Sequence, residues 1–204
     1  FYNRTVDIFA SGANASYLVN QHQITYSAVP DGKEKVRFTT NHDQCAWDGT
    51  PLDIYGSLDA SLAAFAATLF YPGVPLIYTG QEIGWNVQIP FFSNSIINWN
   101  YGASTLENYK KLMNAYTNNE EFKLGTLNNF SSSDVICINR EINGNIAWYI
   151  VNTRNANAFT GKHCYESLKK IADLTAKQLN KKQEEDEENP KKISYKNIIF
   201  GCTG

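Results

Sequence analysis

The sequence predicts an α/β fold, and three observations predict it. A short strand ending near Thr40 is followed by an apolar helix, Leu58 to Phe70, and then by a second apolar strand from Val74 to Tyr78. After Gly125 the hydrophobic period changes, and two strand-like runs meet at Asn143-Gly144. Beyond Phe159 that pattern gives way to a tail rich in lysine and glutamate. Strand, helix, strand in that order is one βαβ crossover, the repeating unit of a TIM (β/α)8 barrel. These patterns predict a βαβ unit, then an antiparallel hairpin, then a helical or disordered charged tail.

Each element has its own signal. Residues 13–25 can form a helix, with Tyr17, Leu18 and Ile24 on its apolar side. Pro30-Asp31-Gly32 is a turn, and the strand through Lys35-Val36-Arg37 follows it. Ser57 reads as a helix N-cap, with Asp59 in the first turn favoured by the helix dipole. The helix it opens is apolar nearly all round, so it belongs between layers and not on a surface. Pro72-Gly73 stops it, and the strand that follows is apolar on both faces, as parallel strands are. That places Tyr78 in the core.

Residues 85–103 read as a long irregular loop rich in Asn and aromatics. Ser104-Thr105-Leu106-Glu107 has the form of a capping box. Leu106, Tyr109, Leu112, Met113 and Tyr116 then recur at helical spacing and predict a core-facing stripe. Val135 to Arg140 and Ile146 to Asn152 predict a hairpin closed by Asn143-Gly144. In the tail, Leu168, Ile171, Ala172 and Leu179 permit an amphipathic helix. The charge block from Lys181 to Pro190 holds too little apolar surface to fold alone and predicts a solvated or disordered stretch.

Composition narrows the function classes. The chain has 204 residues, which fits one domain or one domain and a smaller companion. A formal net charge of −2 argues against nucleic acid or an anionic membrane as the main partner. No run of about 18 or more apolar residues exists to span a membrane. Cys45, Cys137, Cys164 and Cys202 are scattered without a CxxC pair, which argues against zinc or dithiol chemistry and for buried thiols. A start at Phe1 without a charged-then-apolar leader reads as an internal or C-terminal piece of a longer protein.

The residues that could carry chemistry cluster at the strand ends, where a barrel places its active site. The first strand runs into Phe38-Thr39-Thr40-Asn41-His42-Asp43, and the second into Thr79-Gly80-Gln81-Glu82-Ile83-Gly84. In order, spacing and content these two segments resemble the seventh and eighth strands of the α-amylase family barrel (glycoside hydrolase family 13). The first has that family's FxxNHD form, and the likeness covers roughly residues 1–155. A lone Asp at a strand end is ordinarily a turn residue and a lone His an ordinary loop or core residue; their place in the motif is what changes that.

The resemblance implies specific roles. Asp43 corresponds to the family's third catalytic carboxylate, which stabilises the transition state. His42 corresponds to the histidine that binds hydroxyls of the same sugar, and Asn41 belongs to the motif while shaping the loop. Trp47, Trp85 and Trp99 fall in loops on the presumed active-site side, where each could stack on a sugar or anchor its loop; anchoring is favoured for Trp99. Gln81 and Glu82 read as mainly architectural, and His22 as a surface helix residue outside any motif.

The resemblance makes of the predicted elements a partial TIM (β/α)8 barrel followed by an incomplete antiparallel β domain. It divides the chain into residues 1–122, the end of the catalytic barrel; 123–160, the start of the C-terminal β domain; and 161–204, an atypical tail. It implies an α-glucan substrate, an extracytoplasmic location (secreted, periplasmic or cell-surface), and a calcium site in the full-length parent. The family's nucleophilic Asp, its Glu acid/base, the Arg beside the nucleophile and the calcium ligands have no counterpart here. Asp7, Asp31 and Glu34 sit in no matching context. The expectation is a fragment of an α-1,4-glucan hydrolase that needs its missing N-terminal barrel half and is inactive alone. Two other readings stay open: a non-catalytic carbohydrate-binding or transporter-associated relative, and a gene remnant.

Overall fold

In a computed structural model the protein is described over residues 1–153, 162–186, 194 and 198–202. The element order is α1 (Tyr2–Phe9), α2 (Ser16–Tyr26), β1 (Val36–Arg37), α3 (His42–Trp47), α4 (Pro51–Tyr55), α5 (Leu58–Phe70), β2 (Val74–Pro75), a 3-10 turn (Gln81–Ile83), α6 (Ala103–Asn118), α7 (Glu120–Leu124), β3 (Thr126–Asn129), β4 (Val135–Ile142), β5 (Asn145–Asn152), α8 (Lys162–Asp186) and β6 (Ile198–Cys202).

The predicted crossover is present: β1 and β2 pair in parallel, Val36 with Val74 and Arg37 with Pro75, with α3, α4 and α5 between them. The ladder is shorter than the sequence suggests, because each strand has a single partner and turns away within a few residues. The described residues close no barrel. Val36 and Val74 are exposed along this two-stranded pair, and Tyr78 lies past the end of β2, half-buried instead of core.

Helix α5 is the centre of the packing. Ser57 Oγ accepts from the Ala60 amide at 3.1 Å, as its N-cap position predicts. Ala64, Phe65, Ala67, Leu69 and Phe70 are fully buried. The preceding helix α4 is set by a complete capping box between Thr50 and Asp53, with Pro51 in its first turn. Tyr55 from α4 meets Thr5 of α1 at 2.9 Å between hydroxyls.

The antiparallel sheet runs β3-β4-β5, and the turn Asn143-Gly144 takes the left-handed φ values of 51° and 74° that a two-residue hairpin loop needs. Its inner face joins the same core as α5. Phe70 lies 4.3 Å from Phe122 and 5.0 Å from Tyr149, centroid to centroid, and Tyr149 donates its hydroxyl to the Ala63 carbonyl at 3.2 Å. Arg140, buried in β4, donates to the carbonyls of Gly125 at 2.7 Å and Phe70 at 3.2 Å. Burial pulls its guanidinium pKa down to about 10.

Several expectations are corrected. Residues 13–25 are helical from Ser16, but Tyr17 and Ile24 face solvent, and the buried side is Leu18, Val19 and His22. His22 is 7% exposed, not a surface residue: Arg37 Nη2 donates to its Nδ1 at 3.0 Å. Arg37 also donates Nε to the Pro72 carbonyl at 3.1 Å and lies 3.9 Å over the Phe1 ring. Burial, and then the positive charges of Arg37 and Arg140, hold the His22 pKa down at about 4.

The capping box at Ser104 does not form. Gly102 caps α6 in the left-handed conformation, and Glu107 pairs with Lys110 at 2.8 Å. The helix stripe itself holds, with Tyr109 buried and Leu112, Met113 and Tyr116 packed on the core. The described part of the tail includes a helix. α8 continues through Lys181 to Asp186, and Ala172 and Ala176 bury against Trp148, with Leu179 beside them, while Ile171 is half exposed. The side chain of Leu168 and residues 187–190 lie outside the described residues. β6 then pairs in parallel with β5, Trp148 opposite Ile198, so the sheet order is β3-β4-β5-β6 and not purely antiparallel. Among the described residues no helix is long and apolar enough to cross a membrane.

Candidate functional site

The site grows from the chain leaving β1. Asn41 is the N-cap of α3, with extended backbone, and its Oδ1 accepts from the amides of Asp43 at 2.9 Å and Gln44 at 3.1 Å. This cap sets the direction in which His42 and Asp43 leave the strand. His42 Nε2 and Asp43 Oδ1 are 3.6 Å apart, and their side chains are 67% and 57% exposed. At that separation the two groups adjoin without a tight hydrogen bond, leaving donor and acceptor atoms open to a ligand.

Trp47 ends α3 and is 76% exposed; it belongs to the helix, not to a loop. One ring joins it to the pair. Phe91, from the long loop after the second strand, lies edge-on to both His42 at 6.0 Å and Trp47 at 5.6 Å. The loop is tied to α3 by Gln88, whose Nε2 donates to the Ala46 carbonyl at 2.6 Å. Asn41, His42, Asp43 and Trp47 are therefore brought together, and Phe91 is the member that sequence reasoning missed. Its only signal was the aromatic doublet after Pro90 in a stretch without periodicity.

Trp85 stands apart from that group. It is half-buried, edge-on to Tyr101 at 5.5 Å, and packed so close to Gly80 that a Cβ there would lie 3.1 Å from its own. It also lines a narrow crevice with Thr40, Cys45 and Tyr78. Burial raises the pKa of both Cys45 and Tyr78, which keeps the thiol and the phenol protonated. Trp99 is more than half exposed.

Gln81 ties the two strand ends together. It is buried, and Nε2 donates to Thr39 Oγ1 at 2.7 Å and to the Tyr109 hydroxyl at 3.0 Å. Its Oε1 accepts from the Tyr78 amide at 3.2 Å, so one side chain links the end of β1, the segment after β2 and α6. Glu82 Oε2 is buried with no hydrogen-bond partner among the described residues. No cluster of three His, Cys, Asp or Glu able to hold a metal ion occurs among the described residues. An open cleft of about 700 Å³ lined by Phe1, Tyr2, Arg4, Asp7 and Asp48 includes none of the candidate residues.

The fold of the chain is similar to that of several solved structures. It superposes on the ligand-free cyclic α-maltosyl-(1→6)-maltose hydrolase from Arthrobacter globiformis with a TM-score of 0.65 and 20% identity, covering 74% of this chain and 35% of that one. A cyclomaltodextrinase gives 0.64 at 18% identity over 74% of this chain and 27% of its own. An α-amylase from H. orenii gives 0.56 at 20% identity over 72% and 36%. The Arthrobacter hydrolase is also matched in complexes with maltose and with cyclic α-maltosyl-(1→6)-maltose. The chain covers between 27% and 36% of the length of these structures. No protein-family model matches it, and no curated protein does. At 18–20% identity this likeness is one of fold.

Proposed function

We propose that this chain is the C-terminal part of an α-amylase-family retaining glycoside hydrolase that cleaves α-1,4-glucosidic bonds of starch or maltooligosaccharides. The observation that carries this reading is the exposed, adjoining His42–Asp43 pair at the end of the first of two parallel strands. The shared fold with a cyclomaltodextrinase and an α-amylase supports it.

In this reading Asp43 accepts hydrogen bonds from sugar hydroxyls and stabilises the positive, oxocarbenium-like transition state, while His42 donates from its imidazole to the same sugar. Trp47 and Trp85 offer ring faces to the glucan, Trp47 the more openly. Asn41 serves the site by aiming the pair through its cap. In the parent, residues 1–122 complete the barrel, 123–160 open the C-terminal domain and 161–204 append to it. The parent is extracytoplasmic and carries a calcium site outside this chain.

Double displacement needs a nucleophilic carboxylate and an acid/base carboxyl group about 5 Å apart across the scissile bond. The family's counterparts of both belong to the missing barrel half, so the chain alone is inactive. A reducing-sugar assay on soluble starch tests this: the purified chain releases no sugar above background, and reproducible turnover by it would overturn the reading of a dependent fragment.

A further inference from the structure

We propose that Phe91 and Phe92, together with Trp47, form an aromatic platform that stacks a glucosyl ring of an α-glucan beside the His42–Asp43 pair. The proposal rests on the reading above and extends it to a binding site on the loop after the second strand.

Three observations converge on this loop. Phe92 takes a left-handed φ of 55°, which side chains other than those of Gly, Asn and Asp rarely adopt, and its ring is 106% exposed. Strain and an exposed ring both cost stability, and a residue held in such a state is a candidate for function. The ring is not isolated: its centroid lies 5.9 Å from that of Phe91, which contacts His42 and Trp47 in turn. The four rings thus form one connected group running from the proposed sugar-binding histidine outward. The base of the loop is fixed on α3 by the Gln88 bond to Ala46.

The chemistry of the rim selects the ligand. Immediately after Phe92 come Ser93, Asn94 and Ser95, all exposed, with the two serine hydroxyls 2.8 Å apart. A pyranose presents apolar C–H faces that lie flat on aromatic rings and equatorial hydroxyls that hydroxyl and amide side chains bond. A ring platform edged by hydroxyls and an amide matches that pattern, and its contact with His42 places it on the path of a chain bound at Asp43.

The test is calorimetric titration of the purified chain with maltoheptaose, wild type against Phe92→Gly, Trp47→Ala and the exposed apolar control Ile24→Ser, with a thermal melt of each. Glycine accepts the φ of position 92 without strain, so Phe92→Gly keeps the melt of the wild type. The expected result is binding by the wild type and by Ile24→Ser, weakened roughly three- to tenfold by Phe92→Gly and by Trp47→Ala. The proposal is overturned if the wild type does not bind, if Phe92→Gly binds as the wild type does, or if Ile24→Ser loses as much. A surface serving a protein partner instead would leave maltoheptaose binding indifferent to Phe92. Hydrolysis is a separate readout: platform binding in a protein whose assembled form never cleaves starch would overturn the enzyme reading and leave this inference standing.

Discussion

Phe70 and Phe92 are the same residue in opposite circumstances. Phe70 is fully buried at the end of α5, between Phe122 and Tyr149, with its carbonyl bound by Arg140. Phe92 stands in solvent on a strained backbone, in contact with a chain of rings that leads to His42. Around Phe70 the rings of Phe122 and Tyr149 and the guanidinium of Arg140 find their partners inside the chain. Around Phe92 and Asp43, side chains face outward, and the proposed glucan is what they would meet. A core satisfies itself, whereas a site is left open at some cost in stability.

The largest expected effect lies on the buried side of that contrast. Phe70→Ala removes a ring from the joint between α5, α7 and the sheet and should cost about 3–5 kcal/mol, enough to unfold a marginal chain. Urea denaturation followed by circular dichroism measures it; a loss near zero would mean that the helical part and the sheet do not share a core. Next comes Gly102→Ala. At φ +64° a side chain is strained, and its Cβ would collide with the Ile83 carbonyl, so a cost of roughly 2 kcal/mol or more is expected by the same method.

A pH series separates the two regions further. His22 has a folded-state pKa of about 4 against an ordinary 6.5, so the unfolded chain binds the extra proton first. Its contribution is therefore present above pH 6.5 and is lost as pH falls from 6.5 towards 4. The urea midpoint of the wild type should drop across that window more steeply than that of His22→Gln. Equal slopes would show that the Arg37–His22 contact does not govern acid sensitivity.

The smallest effects come from deleting two caps of the same kind. Ser57→Ala and Asn41→Ala each remove a side-chain acceptor at a helix start, worth about 1 kcal/mol. Ser57→Ala should lower stability without altering maltoheptaose binding. Asn41→Ala should do less to stability, because α3 is short and exposed, and more to binding, because the cap aims His42 and Asp43. A reversal of that pattern in melts and titrations would remove Asn41 as a positioning residue.

The same contrast explains what could be read from the sequence. α5 was legible because Ser57 and an unbroken apolar run state both its start and its burial, and the hairpin because Asn143-Gly144 admits few other conformations. The capping box at Ser104 failed because Gly102 turned the chain against Ile83 first, leaving Glu107 to Lys110. The strand Ile198–Cys202 was missed because its partner β5 is distant in sequence and the intervening charge masked it. His22 was misplaced because nothing local shows that Arg37 lies over it. His42 and Asp43 stand out in the sequence through a motif and not through any periodicity, and Phe91 has no motif to announce it.

The central claim is that Asp43 stabilises the transition state of α-glucoside cleavage. Its direct test is starch hydrolysis by the protein that joins this chain to the barrel half carrying the nucleophile and the acid, as wild type and as Asp43→Asn. The account predicts that the substitution lowers kcat by about a hundredfold or more while the fold is kept. Asp43→Asn turning over at the wild-type rate would contradict it.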